Sequence, residues 1–556
     1  PIEPVDTARH ALSFDVPDRN GMTIKGVVYC GKKPVKDVAV SDGISVTTTD
    51  KNGFYYLKSD KAFGYVFVSI PEGYTVSMRK QTYPVFYKYT TSAPDKIEQI
   101  NFELESDNTS DYVVMYLADM HLADRNQDLE QYQNRFLKDI RSLMSDYETQ
   151  GKKVYCMTLG DESWNTYWYA SDISSPFTLT EVVPYIEMLG KPAFHVMGNH
   201  DNDPREKTDF TGEELWRKTY GPTYYSFNIG KIHYIILDNI VYNNPSLYLT
   251  MSCYTNRLTA NQLAWLKADL ATVKDKSTPI QVLMHAPLYE KPKLNLSGTP
   301  RYSFAMENGE EFVETLKDFN DVTILSGHAH TNYSISSSAL PNIQEYNIAS
   351  VCATWWWTGK DNFAGNHICR DGSVGGYRVA EISGTKMYTY YKSIGYDKNY
   401  QFRTYDVNQC QITAAKYCPL STNDKIKSQI KALTGSAGAT GTDGSNWYRE
   451  NKGNEVAINV FAYDPRWNIE VTEGGRKLQV VRENAYDPLH IISQLCYQLN
   501  NGGSIGTTFL PVLTSHFFRV KASSPNSTLK IKVTDPFGNV YEETMNRPKE
   551  LRTDMR

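Results

Sequence analysis

Five clusters of histidine, carboxylate and amide side chains fall in one ordered series in the middle of this chain. They read Asp119-Met120-His121, Gly160-Asp161, Gly198-Asn199-His200-Asp201, Met284-His285-Ala286 and Gly327-His328-Ala329-His330. Asp, His and Asn are the ligand types that suit two hard or borderline divalent ions. With no sulfur in the set, Mn, Fe, Zn or a similar metal fits better than copper(I) or a cluster. The chemistry such a series suggests is metal-assisted hydrolysis. A lone His or Asp after a strand is usually a turn residue, and only the ordered conjunction argues otherwise.

Most clusters end a short apolar run, so strands are expected to deliver them to one edge of a sheet. Tyr112–Ala118 is continuously apolar, as expected for a strand buried on both faces. Runs at Val154–Leu159, Ala193–Met197, Ile280–Met284 and Val322–Ser326 lead into the other four clusters. In extended backbone, residues two apart point to the same side, so Asp119 with His121, and His328 with His330, could each share an ion. Helices are expected between the strands, over 128–148 and 259–274. The second has Thr259 at its start and Leu263, Leu266 and Leu270 at helical spacing.

The series Asp-x-His, Gly-Asp, Gly-Asn-His-Asp, His, Gly-His-x-His resembles the calcineurin-like metallophosphoesterase superfamily, over roughly Asp111 to Asp397. The resemblance implies an α+β fold, a β-sandwich core flanked by helices, with a dinuclear metal site at the strand ends. Carried over residue by residue, it implies that Asp119, His121, Asp161 and His330 hold one ion. Asp161, Asn199, His285 and His328 would hold the other, with Asp161 bridging. His200 matches the family's non-ligand histidine beside the scissile phosphate, and Asp201 the residue that orients it. Glu162, next to Asp161, receives no role.

Two ions about 3.5–4 Å apart can lower the pKa of a bridging water, hold phosphoryl oxygens and offset their charge. The expected reaction is attack of a metal-bridging hydroxide on a phosphomonoester or phosphodiester. His200 would stabilise the transition state or protonate the leaving oxygen. The expected substrate is a small or glycan-linked phosphoester. The alternative is a surface glycan-binding protein on a phosphoesterase scaffold, which would normally have lost a ligand or His200.

A second stretch, Cys352 to Gly372, contains Trp355-Trp356-Trp357, His367 and Arg370. Three consecutive tryptophans cannot all face one core, so at least one is expected to be exposed or to line a cleft. A Trp face could stack on a sugar or base, and His367 and Arg370 could meet a phosphate. The opposing expectation is that two tryptophans pack under the sheet. His195 and His233 are expected in a hydrogen-bonded core or surface role, and His10, His490 and His516, which have no partners in the sequence, as structural or surface residues.

At 556 residues the chain exceeds one core, and about 150 residues per domain predicts three or so. Residues 1–106 show short alternating strands around the turn Asp50-Lys51-Asn52-Gly53 and resemble transthyretin-like or carboxypeptidase-regulatory β-sandwich modules. Residues 107–397 form the central domain. Residues 398–556 are β-rich, contain the small-residue run 433–442, and resemble the C-terminal domain of multidomain phosphoesterases. The net charge of −5 argues against broad capture of nucleic acid. No run reaches the ~18 apolar residues of a membrane-spanning helix. Forty tyrosines, a start at Pro1 and eight cysteines without CxxC spacing are read as a processed, extracytoplasmic protein without a disulfide framework.

Overall fold

A computed structural model describes residues 12–169, 176–247, 253–295, 297–337, 340–359, 367–420, 424, 427–428, 448, 453–496 and 510–553. The small-residue run 433–442, residues 360–366 and His10 lie outside the described residues. The architecture is mixed α/β and rich in strands.

Two sheets carry the central part. In the first, the strand order is Ala193–Phe194, Lys153–Thr158, Asp111–Leu117, Gly376–Ser383 and Lys386–Ser393. The first three are parallel, and Gly376–Ser383 joins Asp111–Leu117 antiparallel, with Asp111 opposite Ser383. In the second, the order is Tyr225–Ile229, Ile232–Ile236, Ile280–Leu283, Val322–Ser326, Leu340–Asn347 and Tyr333–Ser337. Its middle four strands run parallel.

The strand Asp111–Leu117 shows why its sequence is continuously apolar. Tyr112, Val114 and Tyr116 pack into one core, while Val113, Met115 and Leu117 pack into another. Successive side chains alternate between faces, and here both faces are covered. On one face lie the helices Leu137–Thr149 and Leu179–Glu187, through Leu137, Ile140, Met144, Val182 and Ile186. On the other face the second sheet meets the first. Tyr112 and Tyr234 hydroxyls are 2.9 Å apart, and the Phe194 and Phe227 rings stack with centroids 3.7 Å apart. The helix Ala260–Thr272 starts as expected, with the Thr259 side chain capping Gln262 N at 3.2 Å.

The run Ala193–Met197 forms a strand only at Ala193–Phe194. At His195 the backbone amide donates to the Tyr225 hydroxyl at 2.9 Å and the carbonyl accepts from it at 3.1 Å in place of ladder bonds, while Nδ1 lies 2.7 Å from the buried Glu162 Oε1.

The N-terminal strands form sheets of six and four strands, and those beyond residue 401 form two sheets of four. The turn at Asp50–Gly53 forms as expected, with Asp50 Oδ1 accepting from Asn52 and Phe54 amides. The N-terminal module is tied to the centre by Trp265 Nε1 donating to Ser41 Oγ at 3.2 Å and by Ser226 Oγ at 2.9 Å from Ser69 Oγ. Among the described residues, no helix is long and apolar enough to cross a membrane.

Candidate metal centre

The C-terminal ends of five parallel strands converge on one point. Beyond Leu117 and Thr158 the two loops continue side by side, with Asp119 N donating to Gly160 O and His121 N to Asp161 O. The expectation that paired ligands share an extended strand is corrected here. Asp119, His121, Asp161, His328 and His330 all have left-handed backbone, with φ of 53°, 45°, 53°, 66° and 52°. Each such residue costs on the order of 1–3 kcal/mol and persists only where its surroundings over-determine it. The strand ends here do not simply continue the pleat: each loop coils tightly so that its carbonyls and amides stay paired while its ligands face inward.

Asp161 sits at the centre, 1% exposed. Its Oδ2 lies 3.2 Å from His285 Nε2 and 3.5 Å from His121 Nε2, and its Oδ1 accepts the His200 amide at 2.7 Å. Asp119 Oδ1 is 3.3 Å from His330 Nε2, and its carboxylate accepts the His328 amide at 2.8 Å. His285 Nδ1 donates to Leu159 O at 2.7 Å, which aims Nε2 at Asp161, at Asn199 Oδ1 (3.0 Å) and at His328 Nδ1 (3.2 Å). His121 and His330 face one another Nε2 to Nε2 at 3.0 Å. Three groups emerge whose ligand atoms all lie within 4.8 Å of one another: Asp119, His121 and His330; His121, Asp161 and His200; Asp161, His285 and His328.

The donor set fits divalent cations. Ring nitrogens facing ring nitrogens, and carboxylate oxygens facing both, concentrate lone pairs at one buried point. The protein alone holds positive charge here as protons. Burial pulls His285 down, but Asp161 outweighs it and carries the imidazole up to about 9; Asp119 does the same to His330, up to about 10. Asp161, despite burial, is held well below the usual carboxylate range by His285 and His200. Cations binding such a set displace those protons.

Space at the centre is rationed by glycine. A Cβ on Gly198 would overlap the Asp161 amide nitrogen and Oδ1 and come within 2.9 Å of Asp161 Cγ. Gly198→Ala should therefore displace Asp161 and lower the divalent metal retained per chain, measured by elemental analysis after dialysis against Mn2+. Retention at the wild-type level would show that the loop gives way elsewhere.

His200 Nδ1 is 2.9 Å from Asn165 Oδ1. The expectation that Asp201 orients His200 is corrected by this contact. The Asp201 carboxylate is instead taken up by backbone, accepting Ser163 N at 3.0 Å and Gly198 N at 2.9 Å, plus the Ser163 hydroxyl at 2.9 Å. It ties the two loops together, and Asn165 holds the imidazole. Asn165 was legible only as the fourth residue past Asp161, without a pattern to single it out. Tyr254, whose hydroxyl is 2.8 Å from His328 Nε2, had no signal in the sequence.

The three tryptophans divide. The Trp355 ring lies against His121 and His330, with centroids 4.3 and 4.4 Å away, and stacks on Trp164 at 4.5 Å. Trp356 follows the opposing expectation and does not join the wall: it is buried in the core with Nε1 donating to Met120 O at 2.8 Å. Trp357 is half-buried. His367 is also corrected, being buried edge-on against Trp356 at 5.5 Å. Arg370 turns toward the C-terminal part, Nε donating to Leu510 O at 2.9 Å. His233 is structural as expected, bonded to Asn228 and Asp269.

A family profile described as calcineurin-like phosphoesterase matches residues 112–332. Profiles for the N terminal and C terminal of calcineurin-like phosphoesterase match 22–107 and 345–541. The last begins inside the span 107–397 expected for the central domain. A probable cyclic nucleotide phosphodiesterase of a Synechococcus species is 30% identical over 161 residues, which is 29% of this chain and 54% of that protein. The chain thus spans about half the length of this curated relative. A 5′-nucleotidase from Candida albicans aligns with a TM-score of 0.31 and 12% identity, over 51% of each chain. A putative 5′-nucleotidase from Staphylococcus aureus aligns with a TM-score of 0.32 and 13% identity, over 66% of this chain and 74% of that one.

Proposed function

The chain belongs to the calcineurin-like phosphoesterase family, and on that premise we propose that it is a dinuclear metal-dependent hydrolase of phosphomonoesters or phosphodiesters. The observation that carries the reading is the sharing of Asp161 between two groups of candidate ligands, one with His121 and His200 and the other with His285 and His328.

Asp119, His121, Asp161 and His330 would hold one divalent ion, and Asp161, Asn199, His285 and His328 the other. When bound, such ions supply an activated water and charge neutralisation at the phosphoryl oxygens. The protein's own residues do the rest. Asp161 accepts the His200 amide with one oxygen and offers the other to the ligand cluster, so backbone and ligand geometry are set together. Leu159 O and Tyr254 fix the rings of His285 and His328. Asn165 Oδ1 accepts a hydrogen bond from His200 Nδ1–H, which leaves Nε2 as the atom that would meet the ester. Burial drives the free His200 imidazole down to about 3, against the pull of Asp161. An anionic phosphoryl oxygen beside it favours the imidazolium, so the group would carry a proton to the leaving oxygen only with substrate in place.

The similarity to a probable cyclic nucleotide phosphodiesterase supports a diester among the substrates. The test is hydrolysis of a nitrophenyl phosphomonoester and its bis-nitrophenyl diester after chelation and reloading with Mn, Fe, Zn or Mg. Metal-dependent turnover is expected, and the faster ester assigns the class. An occupied two-metal site with no turnover on any ester would reject the hydrolase reading.

A further inference from the structure

We infer that the C-terminal module is a working part of the metal centre, positioning its loops through two buried polar relays. The inference rests on the metal-centre reading above. It concerns Asp371, His516, Thr354 and His490, none of which that reading uses.

The first relay begins two residues past His330. The Asn332 amide donates to Asp371 Oδ2 at 2.7 Å. Asp371 is fully buried, and the same oxygen meets His516 Nε2 at 3.1 Å, while Oδ1 accepts the Ser373 hydroxyl at 2.7 Å. His516 lies on the C-terminal strand Thr514–Lys521, and its Nδ1 meets Asn459 Oδ1 at 2.7 Å. Asn459 Nδ2 in turn donates to Asp371 O and to Asp487 Oδ2, each at 3.0 Å.

The second relay reaches the other side. Asp487 caps the short helix Pro488–His490, accepting the Leu489 and His490 amides at 2.9 and 3.0 Å. His490 Nε2 lies 3.1 Å from Thr354 Oγ1, whose own hydroxyl donates to Ile368 O at 2.6 Å. Thr354 immediately precedes Trp355, the ring packed on His121 and His330. The turn that presents it has left-handed backbone at Ala353, Trp355 and Trp356. A Cβ on Gly372 would overlap the Asp487 carboxylate, so the two relays are packed directly on one another.

A junction needing only adhesion could be apolar, since burying polar groups costs free energy unless each is paired. Here the carboxylates Asp371 and Asp487 are each paired several times over, and both chains of contacts end at residues beside the ligands. Partners behind metal ligands commonly tune affinity or activity by about 10–100-fold.

The test uses the full-length protein, with His516→Leu, His516→Gln, Thr354→Val and Thr354→Ser. Mn2+ affinity is measured by calorimetry, turnover on the nitrophenyl esters, and folding by thermal melts. His516→Leu should still melt cooperatively but bind Mn2+ about tenfold more weakly or worse, with part of the loss restored in His516→Gln, whose amide can donate to Asp371. Thr354→Val should keep Mn2+ affinity while kcat falls more than KM changes, with recovery in Thr354→Ser. If His516→Leu does not fold, the isosteric Asp371→Asn takes its place with the same expected loss. Wild-type affinity and turnover in these variants, with only a lower melting temperature, would overturn the inference. Absence of Mn2+ binding by the wild type would overturn the metal-centre reading and this inference with it. Binding without turnover would reject hydrolysis and leave the affinity comparison standing.

Discussion

Asp161→Asn is expected to lose metal and activity together. The carboxylate is buried to 1% exposure and stands among His121, His285 and the His200 amide, at 3.5, 3.2 and 2.7 Å. An amide of the same shape puts either an N–H or a weak carbonyl acceptor where, on the proposed reading, a negative oxygen would face two cations. Nothing else described at the centre can supply the missing charge: Asp119 is already engaged by His330 and the His328 amide. Metal content should fall from two equivalents to one or fewer. Turnover should drop on the order of a thousandfold or more, since several kcal/mol of transition-state stabilisation go with the ions. A variant fully loaded with two metals yet inactive would argue against a bridging role.

The second large effect is expected at His200. His200→Ala should keep both metals and lose about 10²–10⁴-fold in turnover, the usual range for a proton-transfer group. The motif comparison makes this histidine a non-ligand, but its geometry alone does not, since it groups with His121 and Asp161 within ligand distance. Elemental analysis of the variant therefore decides between the two roles. Loss of one or both metals would make His200 a ligand, and the general-acid reading would be abandoned. Asn165→Ala, which removes the partner of Nδ1, should lower turnover in the same direction by a smaller factor with metals retained.

What the sequence made legible was the delivery of the ligands. Tyr112–Ala118 and Val322–Ser326 read as strands because both their faces are buried, and chemistry-bearing residues after such runs stand out by contrast. The loops themselves were not legible. The spacing-two pairs suggested extended backbone, whereas the structure coils each loop through left-handed residues, a conformation set by neighbouring loops rather than by local propensity. Asn165 rather than Asp201 meets the His200 ring for the same reason: which side chain reaches His200 depends on how two loops from different strands lie together. Trp355 and Trp356 are neighbours in sequence, yet one ring lies against the ligand histidines and the other in the core. His490 and His516 have no partners nearby in the sequence because Thr354 and Asp371, which they meet, lie well over a hundred residues away.

The antiparallel pairing of Asp111–Leu117 with Gly376–Ser383 sets an order of assembly. The strand that delivers the first two ligands pairs on one edge with Lys153–Thr158, forty residues on, and on the other with a strand more than two hundred and fifty residues away. During synthesis that second edge stays open until Gly376–Ser383 has been made, and exposed edges invite pairing with other chains. Such distant pairings are also slow to form. The nascent chain therefore carries all five ligand clusters, out to His330, before the sheet that aligns the first of them can close. A newly made chain in this interval offers its histidines as loose, mispairable ligands, and truncation anywhere before residue 376 should yield aggregation-prone protein rather than a smaller enzyme.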